Sequence, residues 1–164
     1  MKLFKHLPIL ALFALFAFSC SSENLDDKAD QLAENLITPT TKAIELEILE
    51  LINDHRLSLG LSTLKDLKVV KSVAYSHTDY MVDNNVVSHD NFYKRSTYLK
   101  EHAAAQKVSE NVAYGYTSAQ SVVSAWIKSE GHKANIEGDF TNFDVSAEQN
   151  DEGKWYYTNI FIKR

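Results

Sequence analysis

The chain has 164 residues, 45% of them hydrophobic, with 17 basic and 22 acidic side chains for a net charge of −5, and a single cysteine. That length suffices for a domain with its own apolar core, and one cysteine rules out an intrachain disulfide framework. The acidic balance argues against nucleic acid as a partner and against electrostatic adhesion to anionic lipid.

Residues 1–19, MKLFKHLPILALFALFAFS, place Lys2 and Lys5 ahead of an apolar run over residues 9–18 that stops at a small residue. The run is too short to cross a bilayer and reads as a secretory signal. The next residue is Cys20, and AFSC resembles the processing box of bacterial lipoproteins, in which the cysteine becomes the lipidated first residue. Processing there removes both signal lysines and leaves 15 basic against 22 acidic residues, a net charge of −7. With Cys20 acylated no thiol remains, so the exported domain folds without disulfides. Residues 20–39 are polar, acidic and poor in aromatics, as suits a flexible tether. The folded domain is expected over residues 40–164.

Within that domain the apolar periodicity predicts helices first. TKAIELEILELINDHRLSLG carries Ile44, Ile48, Leu51, Ile52 and His55 at helical spacing, with Gly60 as the stop. A second helix over residues 67–82 puts Leu67, Val70, Ala74, Thr78 and Met81 on one face. A third, short one covers residues 93–104, and a fourth over residues 119–129 buries Val122, Val123, Trp126 and Ile127. The pattern then turns to strands: FDVSAEQ and WYYTNIFI flank NDEG as a hairpin, and SENVAYGY is the third strand. Helices ahead of a small antiparallel sheet, without alternating units, read as α+β.

The stretch VSENVAYGY sets a chemical problem, because Glu110 sits among apolar and aromatic neighbours and a buried carboxylate requires a partner. Five segments, LINDHRLSLGLSTL, AYSHTDYM, VSHDNFYKRSTYL, SENVAYGY and AWIKSEGHKANI, together resemble the CAP superfamily of cysteine-rich secretory, antigen 5 and pathogenesis-related proteins. The likeness is greatest to its bacterial branch of exported single-domain members and runs over nearly all of residues 42–162. It implies an α-β-α sandwich with a three-stranded antiparallel sheet between helical layers. It also implies a surface cleft lined by two histidines and two glutamates. Matched motif by motif, these are His89 of SHD, Glu110 of EN and His132 of GH. The second glutamate is less secure: Ser129 holds its usual place and Glu130 lies one position, about 100° of helix, further on.

Two histidines with one or two carboxylates are a donor set for a divalent cation such as Zn²⁺, with a position left open for water or substrate. The same residues also make a charge-assisted His–Glu pair, or a hydrogen-bonded network that fixes loops. His77 is expected to be a packed, hydrogen-bonded helix residue, Asn53 and Arg56 of NDHR to bond backbone and carboxylates, and His102 to be solvated. Ser109 lies outside any Gly-x-Ser-x-Gly elbow, and the chain has no phosphate loop and no His-Glu-x-x-His helix. The tyrosines are expected mostly in core and sheet packing.

The chain departs from the family pattern in two places. FTNFDVSAEQ stands where many members have a glycine-rich strand, and the bracing cysteines of eukaryotic members are absent. The expected function is a lipid-anchored module of the bacterial cell envelope whose cleft engages a lipid, peptide or protein ligand. The alternatives are a metal-assisted hydrolase of peptide or cell-wall material, with His89 and His132 as ligands and Glu110 as ligand or base, and a structural envelope protein.

Overall fold

The structure, a computed structural model, describes residues 36–164. The expected signal over residues 1–19, Cys20 and the tether as far as residue 35 lie outside the described residues. Among the described residues no helix is long and apolar enough to cross a membrane. Leu36 sits against the core beside helix Lys68–Asp83, and Thr38 shares a hydrogen bond with Ser72 of that helix.

In chain order the elements are α1 (Ala43–Ser58), β1 (Lys65–Asp66), α2 (Lys68–Asp83), α3 (Phe92–His102), β2 (Lys107–Tyr114), α4 (Ala119–Lys128), α5 (Glu130–Ile136), β3 (Asn142–Gln149) and β4 (Trp155–Lys163). The sheet order is β1-β3-β4-β2. The expected antiparallel trio β2, β3 and β4 is present, and a fourth strand joins it: β1, two residues long, pairs parallel with Asn142 and Phe143 of β3. Two residues carry no alternation to read, so β1 left no pattern in the sequence. Helix α5 was likewise not foreseen. It follows α4 across a single extended residue, Ser129, and EGHKANI is too short to show a period.

Strand alternation sorts the side chains into two cores. Phe143, Val145, Ala147, Tyr157 and Phe161 face Ile48 and Ile52 of α1, Trp126 of α4 and Ile136 of α5. Ile160 and Ile162 face Val70, Val73 and Ala74 of α2 and Tyr98 and Leu99 of α3. Helices thus cover both faces of the sheet, as an α-β-α sandwich requires. The β3–β4 turn follows its residues: the Asn150 side chain accepts from the backbone of Glu152 and Lys154, and Gly153 takes φ +72°.

Both sheet edges are closed by side chains. On β2, the edge carbonyls of Glu110 and Val112 accept from Asn135 Nδ2 at 3.2 Å and Trp126 Nε1 at 3.1 Å. On β3, beyond the reach of β1, the Ala147 N–H donates to Glu45 Oε1 at 2.8 Å. The Val145 carbonyl accepts from Lys71 Nζ, also at 2.8 Å. Glu45 and Lys71 pair with each other at 2.6 Å, so an ion pair from two helical layers stands in for a neighbouring strand.

Candidate functional site

The site is built on the Glu110–Asn111 dipeptide of edge strand β2. Consecutive strand residues point to opposite faces, so Glu110 enters the α2–α3 layer and Asn111 the α4–α5 layer. Glu110 is 6% exposed. Its carboxylate receives Arg95 Nε at 2.7 Å on Oε2 and Arg95 Nη2 at 2.8 Å on Oε1, a bidentate guanidinium grip. His89 Nδ1 lies 2.8 Å from the same Oε1, and His77 Nε2 stands 3.9 Å away.

Burial alone would push the Glu110 carboxyl up. The hydrogen bonds from His89 and Arg95 and the guanidinium charge overcome it and hold the group below its ordinary range. An ionised carboxylate only accepts, so His89 donates from Nδ1, which leaves Nε2 free on a side chain that is 52% exposed. His77 is buried and donates from Nε2 to the Ser88 carbonyl at 2.8 Å. Burial, then the Arg95 charge, push its imidazole below the ordinary value.

The other wall comes from α5. Asn111 Nδ2 donates to the His132 carbonyl at 3.1 Å, and its Oδ1 accepts from Asn135 Nδ2 at 2.8 Å. His132 is half-buried, and its imidazole is pushed down by that burial and secondarily by the charge of His89. Glu130, in the first turn of α5, is exposed.

Ser109 faces away from Glu110, and its hydroxyl is buried without a hydrogen-bond partner. Arg56 binds the carbonyls of Ser62, Ile136 and Gly138, Asn53 braces Leu64, and His55 pairs with Glu137 at 2.8 Å. The NDHR motif is therefore structural. His102 stacks on Tyr98 with centroids 4.3 Å apart.

Both Glu110 oxygens are already engaged by a guanidinium, and among the described residues no group of three or more His, Cys, Asp or Glu converges so as to hold a metal ion. Glu110 held in this way does not fit the role of a metal ligand. What the arrangement does supply is the half-exposed His89 imidazole held by a neutralised carboxylate, with the half-buried His132 near enough for its charge to be felt.

Sequence reasoning brought His89, Glu110 and His132 together but missed Arg95. A signal for it was present: Arg95 precedes Tyr98 and Leu99 by three and four positions, which places a cation on the buried stripe of α3.

Residues 49–161 match the CAP family, described as the cysteine-rich secretory protein family. The membrane protein YlbC of Bacillus subtilis, itself uncharacterised, is 36% identical over 126 residues, which cover 73% of this chain and 34% of that protein. This chain thus spans about a third of that relative's length. An extracellular protein containing a SCP domain from Bacillus anthracis superposes with a TM-score of 0.65 at 26% identity, covering 77% of this chain and 45% of that one. An outer surface protein from Borrelia burgdorferi superposes at 0.68 with 20% identity, covering 79% and 98%, a likeness of fold. The match over residues 49–161 and the sandwich agree, and the chain belongs to the CAP family.

Proposed function

We propose that this protein is an exported CAP-domain lipoprotein, held on the cell envelope through Cys20, that binds a lipid, peptide or protein ligand at the cleft formed by His89, Glu110 and His132. The observation that carries the reading is the chain Arg95–Glu110–His89. The carboxylate is neutralised by a guanidinium, and its bond to Nδ1 orients the half-exposed His89 ring. Such a set recognises; it holds no activated nucleophile, since Ser109 lies on the other face of the strand. The extracellular and outer-surface settings of the structural neighbours and the membrane setting of YlbC support the exported, envelope-bound part of the reading.

The test is calorimetric titration of the full chain, in a non-ionic detergent, with three probes: phosphatidylcholine in mixed micelles of that detergent, muropeptides and a peptide library. Each is repeated with the His89→Ala, His132→Ala double variant, whose fold is verified by circular dichroism. One probe class should saturate the parent, lose its affinity in the variant and be recovered unaltered. Turnover of the bound probe, or binding indifferent to the variant, overturns the reading. Anchoring is tested separately: Cys20→Ser should shift the protein from the membrane fraction to the soluble one.

A further inference from the structure

The geometry points to a second binding site, in the cavity between α2 and the start of α3, whose occupant is a terminal acetamido group. The cavity takes His77 and Arg95 into its wall but neither His89 nor His132, so it is distinct from the cleft proposed above.

Its volume is about 170 Å³. Helix α2 contributes His77 and Tyr80, and α3 with the residues just ahead of it contributes Asp90, Lys94 and Arg95. Two of these polar side chains are themselves almost wholly buried, His77 at 3% exposure and Arg95 at 4%. The rings of His77 and Tyr80 stack with centroids 5.8 Å apart and planes 13° from parallel, and the Tyr80 hydroxyl donates to Asp90 Oδ2 at 3.2 Å. The wall is therefore braced across the two helices.

His77 carries the inference. Its Nε2 donates to the Ser88 carbonyl, so in the neutral ring Nδ1 is an unprotonated acceptor. Burial, and then the Arg95 charge, favour that neutral ring. Nδ1 makes no hydrogen bond among the described residues. The side-chain polar atoms there that are both unbonded and sealed from solvent are Ser109 Oγ, Thr158 Oγ1 and Asn159 Oδ1. Nδ1 is thus unbonded without being sealed, and the space that His77 borders is this cavity. On the α3 side stand donors with capacity left. Lys94 is half-buried, and its ammonium has no ion-pair or hydrogen-bond partner among the described residues. Arg95 uses two N–H groups on Glu110 and one on the Asp90 carbonyl, out of the five that a guanidinium carries.

An acceptor on one helix and donors on the other call for a ligand that donates at one atom and accepts at another. An anion has no proton for Nδ1 and meets Asp90, while an ammonium meets Lys94 and Arg95. A trans secondary amide carries its N–H and C=O on opposite sides, as this arrangement asks. A peptide amide continues as chain in both directions, which so small a space does not take. An acetamido group ends in a methyl, which suits the aromatic wall of Tyr80.

The experiment is NMR titration of the full chain in a sugar-free non-ionic detergent, with micelles alone as the blank. One probe is N-acetylglucosamine, against glucose; the other is N-acetylglycinamide, against N-acetylsarcosinamide, which lacks the N–H. Saturable binding of an acetamido probe is expected, about tenfold or more tighter than its comparator, the size of one hydrogen bond to a buried group. The tighter of the two probes identifies the source of the group as sugar or acylated amine. The ¹⁵N resonance of His77 Nδ1 should move upfield as the probe binds. Affinity should fall by a similar factor in His77→Phe, which keeps a ring without the acceptor. It should also fall in Lys94→Met, which keeps the test open if the buried change disturbs folding. The His89→Ala, His132→Ala variant should bind the probe unchanged, so that failure here and failure of the cleft are separate results. Comparators that bind equally well, affinity that survives in both variants, or an Nδ1 resonance that does not move overturns the proposal. Absence of saturable binding assigns the cavity to water and overturns it as well.

Discussion

Arg95 grips Glu110 through two parallel N–H···O bonds of 2.7 and 2.8 Å, with the two side chains 5% and 1% exposed. The pair joins α3 to the edge strand and sets the orientation of His89. Removing the cation alone leaves a buried, uncompensated charge. Arg95→Met is expected to cost about 3–5 kcal/mol and Arg95→Met with Glu110→Gln clearly less, read from urea unfolding of the single and double variants. Equal losses would mean that the guanidinium acts by packing and not by charge.

Three buried groups give stability a pH dependence whose signs differ. Glu110 titrates below its ordinary 4.5, so its stabilisation is complete above that value and is lost as pH falls through the lowered folded value. His77 titrates below its ordinary 6.5, so the unfolded chain takes up that proton first and stability declines as pH drops below 6.5. His77→Gln should flatten that part of the curve.

Asp144 has the opposite sign. Its carboxyl moves from 3.8 to about 6, so the folded state binds the proton more tightly and stability rises as pH falls from 6 toward 3.8. The ionised form therefore burdens the fold at neutral pH by on the order of 3 kcal/mol. Asp144→Asn is expected to stabilise the protein at pH 8, with the gain fading below pH 6. A destabilised variant at pH 8 would show that the hydrogen bonds to Val145 and Leu67 outweigh the charge.

Asn135 reaches two acceptors, the Glu110 carbonyl at 3.2 Å and Asn111 Oδ1 at 2.8 Å, and so ties α5 to the strand that carries the site. Asn135→Ala should cost about 1–3 kcal/mol, because buried acceptors lose their donor. It should also broaden the His132 imidazole resonances in NMR while leaving those of His89 sharp, since His89 is held from the other layer.

Much of this architecture was legible in the sequence because its signals are periodic. The stripes of α1, α2 and α4 and the alternation in β3 and β4 each repeat often enough to be read. The EN dipeptide also carried its meaning, since one strand step sends Glu110 to one layer and Asn111 to the other. Elements too short to repeat, β1 and α5, were not legible. Nor were partners distant in sequence: Arg95 and Glu110 are 15 positions apart, Glu45 and Ala147 are 102. Which cation serves which carboxylate is decided by packing, and local pattern holds no trace of it.

The Glu45–Lys71 pair puts that dependence on packing to a direct test. Each ion has a second task, Glu45 accepting the Ala147 N–H and Lys71 donating to the Val145 carbonyl, so truncating either one strands both a buried charge and an edge backbone group. Lys71→Met alone and Glu45→Leu alone should each cost about 3–5 kcal/mol. The double variant removes both charges but still leaves the two β3 backbone groups without partners. Its loss should therefore be smaller than the sum of the singles and yet remain above zero, by about 1–3 kcal/mol for each backbone group left unpaired. Amide exchange identifies the source: Ala147 should lose protection in Glu45→Leu and in the double variant, and keep more of it in Lys71→Met. Protection unchanged in all three would mean that the ion pair does not serve as the edge of the sheet.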